Sequence, residues 1–268
     1  MTEPKSASGM LPVVAVDVGN SRIKFGLFEH PAAPAALPHP QRTLTLKTEN
    51  WEPVEIAIWL APLGPCDLSW QVASVNRPTA ERIENWIASE GASDRWVRLR
   101  HSELPLSLDV EQPEAVGMDR LVAAVAANRI RPPERPAIVV DLGTAITVDV
   151  VSSEGSFRGG AILPGVALSA RALHEYTDLL PELEMQTLEE PPRALGTSTR
   201  GALASGIYWG AVGAMKMLID QLSRDLDAEP FVVLSGGAAA HVAQLVGPTV
   251  CYEPHLVLAG IVLASLRP

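Results

Sequence analysis

The chain has 268 residues, 47% of them hydrophobic and 19% charged, and a formal net charge of −10 at pH 7. That length admits one large domain or two ordinary ones, with a sizeable core and no need of covalent staples. The acidic balance excludes general nucleic-acid binding, which needs a basic face to displace counterions; it leaves room for a small anion held by backbone N–H groups, a helix N-terminus or a bound cation.

The first ten residues, MTEPKSASGM, have no apolar centre and predict a loose polar tail rather than a signal peptide. Residues 13–18 form a short apolar run, the mark of a buried strand. Asn20-Ser21 is turn chemistry, and residues 23–28 predict a second strand closing a hairpin. Residues 31–40 are rich in Pro and Ala and cannot be an element interior. Residues 42–47, RTLTLK, alternate cleanly as a third strand. A helix over 51–60, a strand over 70–75, a helix over 78–89 and a strand over 96–99 complete the first half. A helix over 116–130 follows, stopped by Pro132-Pro133.

The second half begins in the same way. Strands are predicted over 137–141, 146–151 and 156–163. A helix over 166–176 follows Pro164-Gly165. A long helix over 201–226, a strand over 231–234, a helix over 238–245, a strand over 250–252 and a helix over 255–266 complete it. The apolar run 201–215 lies between Arg200 and Lys216 and is too short to span a bilayer. The acidic segment 182–190 reads as a solvated loop. His174 and His255 read as structural. The tryptophans are scattered along the chain and read as core and boundary residues. Cys66 and Cys251 have no metal or redox spacing, as in a cytoplasmic protein with reduced thiols. The expectation is α/β, with two halves over 12–115 and 116–268, a cleft between them, and the last helix packing back on the first half.

Two turns carry the chemistry. Residues 16–21 read VDVGNS and residues 140–145 read VDLGTA, each after an apolar strand. A strand-end Asp before a tight Gly turn gathers a carboxylate and several backbone N–H groups around one point. The carboxylate can hold a cation or its water, and the N–H groups can receive a phosphate oxygen. One D-x-G is ordinary turn chemistry; two copies in a duplicated layout point to a nucleotide tail gripped from both sides. A third turn, LSGG at 234–237, follows a strand and opens a helix. Neither a Walker A loop nor a GxGxxG fingerprint occurs.

This combination resembles the acetate and sugar kinase/actin superfamily and, within it, the type III pantothenate kinases. The marks are DVGNSRIKFGLF at Asp17, PEAVGMDR at Pro113, DLGTAITVDVV at Asp141, GGAILPG at Gly159 and YTDLLP at Tyr176. The resemblance covers about residues 13–266. It implies two duplicated ribonuclease H-like (actin-like ATPase) domains. It also implies transfer of the ATP γ-phosphoryl to pantothenate, giving 4'-phosphopantothenate at the first step of coenzyme A biosynthesis. Asp17, Gly19, Asn20 and Ser21 would form the first phosphate loop, with Lys24 reaching the phosphates. Thr144 would bind phosphates from the second loop. Gly236 and Gly237 would meet the adenosine, with residues 197–199 on the same side. Asp141 would hold potassium or ammonium, and Asp17 magnesium through water. Gly117, Asp119, Arg120, Gly160 and Thr177 would line the pantothenate site, with Asp119 as general base. The family builds that site across a homodimer interface, which implies a second copy as partner, with no nucleic acid or membrane. One departure stands out: Val110 occupies the place of a pocket tyrosine usual in the family. Two other activities fit the same motifs. One is a non-catalytic transcriptional accessory factor of the family; the other is a kinase for another small hydroxyl substrate.

Overall fold

The computed structural model describes residues 11–29, 36–90, 93–184, 191–236 and 239–266. The expected polar tail, part of the Pro/Ala segment, most of the acidic segment and Gly237 lie outside the described residues. The first half contains β1 (Val13–Val18), β2 (Arg22–Phe28), β3 (Arg42–Lys47), α1 (Pro53–Leu60), β4 (Ser69–Ser74), α2 (Arg77–Glu90) and β5 (Arg95–Arg98). Next come α3 (Met118–Ile130), β6 (Ala137–Leu142), β7 (Ala145–Val151), β8 (Phe157–Pro164) and α4 (Val166–Glu175). The chain continues through α5 (Thr199–Arg224), β9 (Phe231–Ser235), α6 (Ala239–Val246), β10 (Cys251–Tyr252) and α7 (Leu256–Ser265).

The two sheets have the same plan. One runs β3-β2-β1-β4-β5 and the other β8-β7-β6-β9-β10. In each, the first strand pairs antiparallel with the second and parallel with the fourth. This is the duplicated ribonuclease H-like, actin-like arrangement, and the expected order of strands and helices holds throughout the described residues.

β1 is buried at every position because both its faces are covered. Val14, Val16 and Val18 pack outward with α1 and α2. Val13 and Ala15 pack inward with α3 and α7, in a cluster that also takes Ala137 and Val139 from β6 and Val151 from β7. One core is thus shared by both sheets. α7 lies against β1, β2 and β4. The side-chain period of two along a strand then puts Asp17 on the face of Val13 and Ala15, and Asp141 on the face of Ala137 and Val139. Both acids project between the sheets.

Three expectations change. The helix expected from residue 51 starts at Pro53: Glu52 caps it, its N–H donating to Glu55 Oε2 at 2.8 Å. Trp51 is instead buried, with the Arg82 guanidinium 4.5 Å from its ring centroid. The helix expected from residue 116 starts at Met118, because Val116 is extended and Gly117 is the N-cap. The tryptophans, apart in sequence, gather in space: Trp51, Trp59, Trp70, Trp86 and Trp96 share the outer layer of the first sheet. α5 outruns the apolar stretch that marked it. By length and composition it could cross a membrane, but Ile207, Tyr208, Val212 and Met215 pack into the core of the second sheet.

α3 and α7 meet backbone to backbone. A Cβ at Gly260 would overlap the carbonyl oxygen of Val122. Gly260→Ala should therefore force the two central helices apart and cost about 1–3 kcal/mol, the usual range for overpacking. Thermal unfolding checks this; an unchanged midpoint would mean that the helices have room to yield.

Candidate active site

Each acid-glycine turn is braced twice, in the same way. Gly19 N–H donates to Arg22 O and Gly143 N–H to Ala145 O, both at 3.0 Å. The residue just after the third strand of each sheet ties the turn down: Thr48 N–H to Ser21 O at 3.1 Å, and Gly165 N–H to Thr144 O at 3.0 Å. Thr48 adds a second tie, its hydroxyl donating to Gly19 O at 3.0 Å. The glycine N–H groups are therefore engaged within the hairpins. Among the described residues, the N–H groups of Asn20, Ser21 and Thr144 take no part in these ties, and they are the donors left for an anion.

The halves differ in what faces each acid. Opposite Asp17 on β2 stands Lys24; opposite Asp141 on β7 stands Thr147. Lys24 Nζ lies 3.8 Å from Asp17 Oδ2. Asp141 Oδ1 is buried and has no hydrogen-bond partner among the described residues. An orphaned buried carboxylate oxygen suits a bound cation.

Asp119 joins these groups from α3. Its Oδ1 accepts the Arg120 N–H at 2.9 Å, which folds the carboxylate back over the first turn. A Cβ at Gly117 would lie 2.5 Å from that oxygen. The glycine two positions before Asp119 is what lets the carboxylate occupy this place. Arg120 pairs with Asp149 on β7 through both Nε and Nη2. Gly160, opposite Asp149 on β8, packs against it, and Val110 lies against Gly159.

The charges of Asp17, Asp119 and Asp141 all act on the Lys24 ammonium. Burial pushes the Asp17 carboxyl up to about 6, against the pull of Lys24 and with the help of Asp119 and Asp141. Burial also raises Asp119; the Arg120 N–H opposes the rise and Asp141 adds to it. For Lys24 burial acts downward, but Asp141 and Asp17 outweigh it, and the amine is held above its ordinary value.

The other expected residues are more dispersed. Gly236 follows β9, whose last residue Ser235 pairs with Asp141, and its carbonyl accepts a hydrogen bond from the Tyr252 hydroxyl at 3.2 Å. Thr177 is exposed just past α4, and its hydroxyl donates to Leu173 O at 2.6 Å. Within one chain its hydrogen bonding is local to that helix. Ser198 caps α5, accepting from Gly201 N–H. His255 stands at the N-cap of α7 rather than inside it. An apolar groove of about 640 Å³ runs between α4 and α5, lined in part by Leu173, Ala202, Gly206 and Gly210. Thr48, Asp149 and Tyr252 were not expected from the sequence. Asp149 had a signal: it shares strand parity with Val151, which faces the shared core.

A sequence profile described as type III pantothenate kinase matches residues 13–221. The chain is 36% identical to the type III pantothenate kinase of Rhodopirellula baltica, over 91% of this chain and 95% of that one. The chain belongs to the type III pantothenate kinase family. A second member, from Anaeromyxobacter sp., is 33% identical over 95% of this chain and 99% of its own length. Among solved structures, a suggested 2-dehydro-3-deoxygalactonokinase from Sinorhizobium meliloti matches with a TM-score of 0.55 at 13% identity, over 94% and 98% of the two chains. An ethanolamine utilization protein from Carboxydothermus hydrogenoformans matches at 0.52 and 16% identity, over 96% and 91%. Likeness at those identities shows the fold that this family shares with them.

Asp17 generates a prediction on stability. Its folded value, about 6, exceeds the 3.8 of an unperturbed aspartate. The native state therefore holds the proton more tightly, and stability falls as pH rises between those values. Above pH 6 the penalty is about 3 kcal/mol, at 1.36 kcal/mol per unit. Asp17→Asn removes it. In a buffer of bulky organic cations, the variant's melting temperature should gain on the wild type between pH 5 and pH 7.5. A gap that stays constant over that range would mean that Asp17 carries no burial penalty.

Proposed function

We propose that the chain phosphorylates pantothenate at the expense of ATP, giving 4'-phosphopantothenate for coenzyme A synthesis in the cytoplasm. The observation that carries this reading is the position of Asp119. A family member has its buried, proton-attracting carboxylate within the electrostatic reach of both acid-glycine turns.

In this reading ATP lies across the two turns, its phosphates met by Lys24 and the N–H groups of Asn20, Ser21 and Thr144. Gly236 and Gly237 flank the adenosine. Pantothenate lies toward Arg120, Gly160 and Val110, its primary hydroxyl on Asp119. Asp119 accepts the hydroxyl proton as the oxygen bonds to the γ-phosphorus and the bond to the ADP oxygen breaks. A carboxylate raised by burial is a better base than a solvated one. Asp141 Oδ1 would hold a monovalent cation and Asp17, through water, magnesium. When bound, these ions supply positive charge against the phosphates. Most of the rate gain is then positioning and charge stabilisation. Val110 is smaller than a tyrosine and leaves the glycine pair of β8 more open.

The active unit in this reading is a homodimer. Ala202, Gly206 and Gly210 leave an exposed edge of small residues on α5, beside the apolar groove, and Leu168, Leu173 and Met217 are exposed nearby. Thr177 would reach the pantothenate site from the second copy. A monomer in sedimentation at working concentration would refute this part.

The test is ATP consumption with pantothenate, in potassium, ammonium, sodium and bulky organic cation buffers. Activity should be strong in the first two and nearly absent in the others; equal rates in all would remove the cation from Asp141. Asp119→Asn should lower kcat at least about a hundredfold, the lower range for a general base, with the fold intact. Near wild-type turnover in that variant would take the base role from Asp119.

A further inference from the structure

We propose that Asp149 is a positioning residue for substrate selection: it fixes Arg120 so that one edge of the guanidinium is presented to a substrate carboxylate. This rests on the kinase reading above and adds a residue to it.

Asp149 is 1% exposed and lies on the inner face of β7. A charge so buried is tolerable only when paired. Its partner comes from the first turn of α3. Arg120 Nε donates to Oδ1 at 3.0 Å and to Oδ2 at 3.1 Å, and Nη2 donates to Oδ1. The pair occupies one edge of the guanidinium and leaves Nη1 for another acceptor. The plane is fixed from a second side by Phe157, whose ring centroid is 5.5 Å from Cζ. β8 makes room for the arrangement: a Cβ at Gly160 would lie 2.7 Å from Asp149 Oδ1. The Val148 carbonyl oxygen and the Asp149 Cα crowd the same place, so β7 backbone and the Asp149 carboxylate together leave room there only for glycine.

The pairing also decides what Arg120 does not do. Asp119 is the adjacent residue, and its Oδ1 already accepts the Arg120 N–H. Without Asp149 the guanidinium would still feel the Asp119 charge, and an ion pair there would block the base. Asp149 therefore separates two tasks that neighbouring residues would otherwise confuse. Asp119 is left for the hydroxyl, and Arg120 is left for an anionic group at the other end of the substrate. The chemistry selected is a hydroxy acid rather than a neutral alcohol.

The experiment is steady-state kinetics on wild type, Asp149→Asn, Arg120→Gln and the double variant. Each is measured with pantothenate and with pantothenol, in which an alcohol replaces the carboxylate. Asp149→Asn should raise KM for pantothenate roughly ten- to a hundredfold, the range for a hydrogen bond to a charged group. Its KM for pantothenol and its kcat should change far less. The double variant should be no worse than Arg120→Gln alone, because Asp149 acts through Arg120. Equal losses on both substrates, or losses that multiply in the double variant, would overturn the proposal and leave Asp149 a structural residue. If Asp149→Asn does not fold, Arg120→Lys decides. Lysine keeps the buried pair but has no second edge, so preference for pantothenate should fall as far; full preference with lysine would overturn the proposal. Wild-type enzyme inactive on pantothenate would instead sink the kinase reading itself.

Discussion

The convergence of Asp17, Asp119 and Asp141 on the Lys24 ammonium is the constraint on which the candidate site depends. Burial raises the proton affinity of Asp17 and of Asp119, and the Asp141 charge adds to both. Left to themselves such groups would spread apart or stay protonated. They stay together because each is fixed to backbone that cannot move far: two at the ends of central strands, one in the first turn of a buried helix. Three carboxylates then share the charge of Lys24.

The duplicated sheets supply that rigidity symmetrically and the chemistry asymmetrically. The ties from Thr48 and Gly165 occupy equivalent places, one residue past the third strand of each half. They hold the two turns by the same kind of bond at nearly the same length. Substitution at a single cross-strand position then separates the halves. Lys24 stands opposite Asp17 and Thr147 opposite Asp141, whose Oδ1 has no hydrogen-bond partner among the described residues.

Most of this frame was legible in the sequence, for physical reasons that also mark where legibility ended. β1 and β3 were found to the residue because an apolar run and a clean alternation were each bounded by turn chemistry. The start of α3 was misplaced because Val116 prolongs the apolar pattern. What sets the boundary is a carboxylate two residues past the N-cap, folded over Gly117, which no periodicity reveals. The tryptophans looked scattered because adjacency of β4, β5, α1 and α2 is a property of the sheet, not of spacing. Asp149 could have been found from strand parity, but its partner is 29 residues away on a helix and has no local signature. The base role of Asp119 came from family resemblance; the structure adds a reason for the spacing around it.

The shared core also bears on how the chain acquires its shape. Val13 and Ala15 are covered by α7, roughly 240 residues downstream, a separation that slows the closing of native contacts. On the ribosome the inner face of the first sheet would wait, uncovered, for almost the whole of synthesis. Each half leaves part of its interior to helices that the shared cluster also uses. The ancestral repeat has thus become indivisible. Cutting the chain between the sheets would yield two fragments with sticky inner faces rather than two small domains, and an early pause in translation would expose the same surface to chaperones.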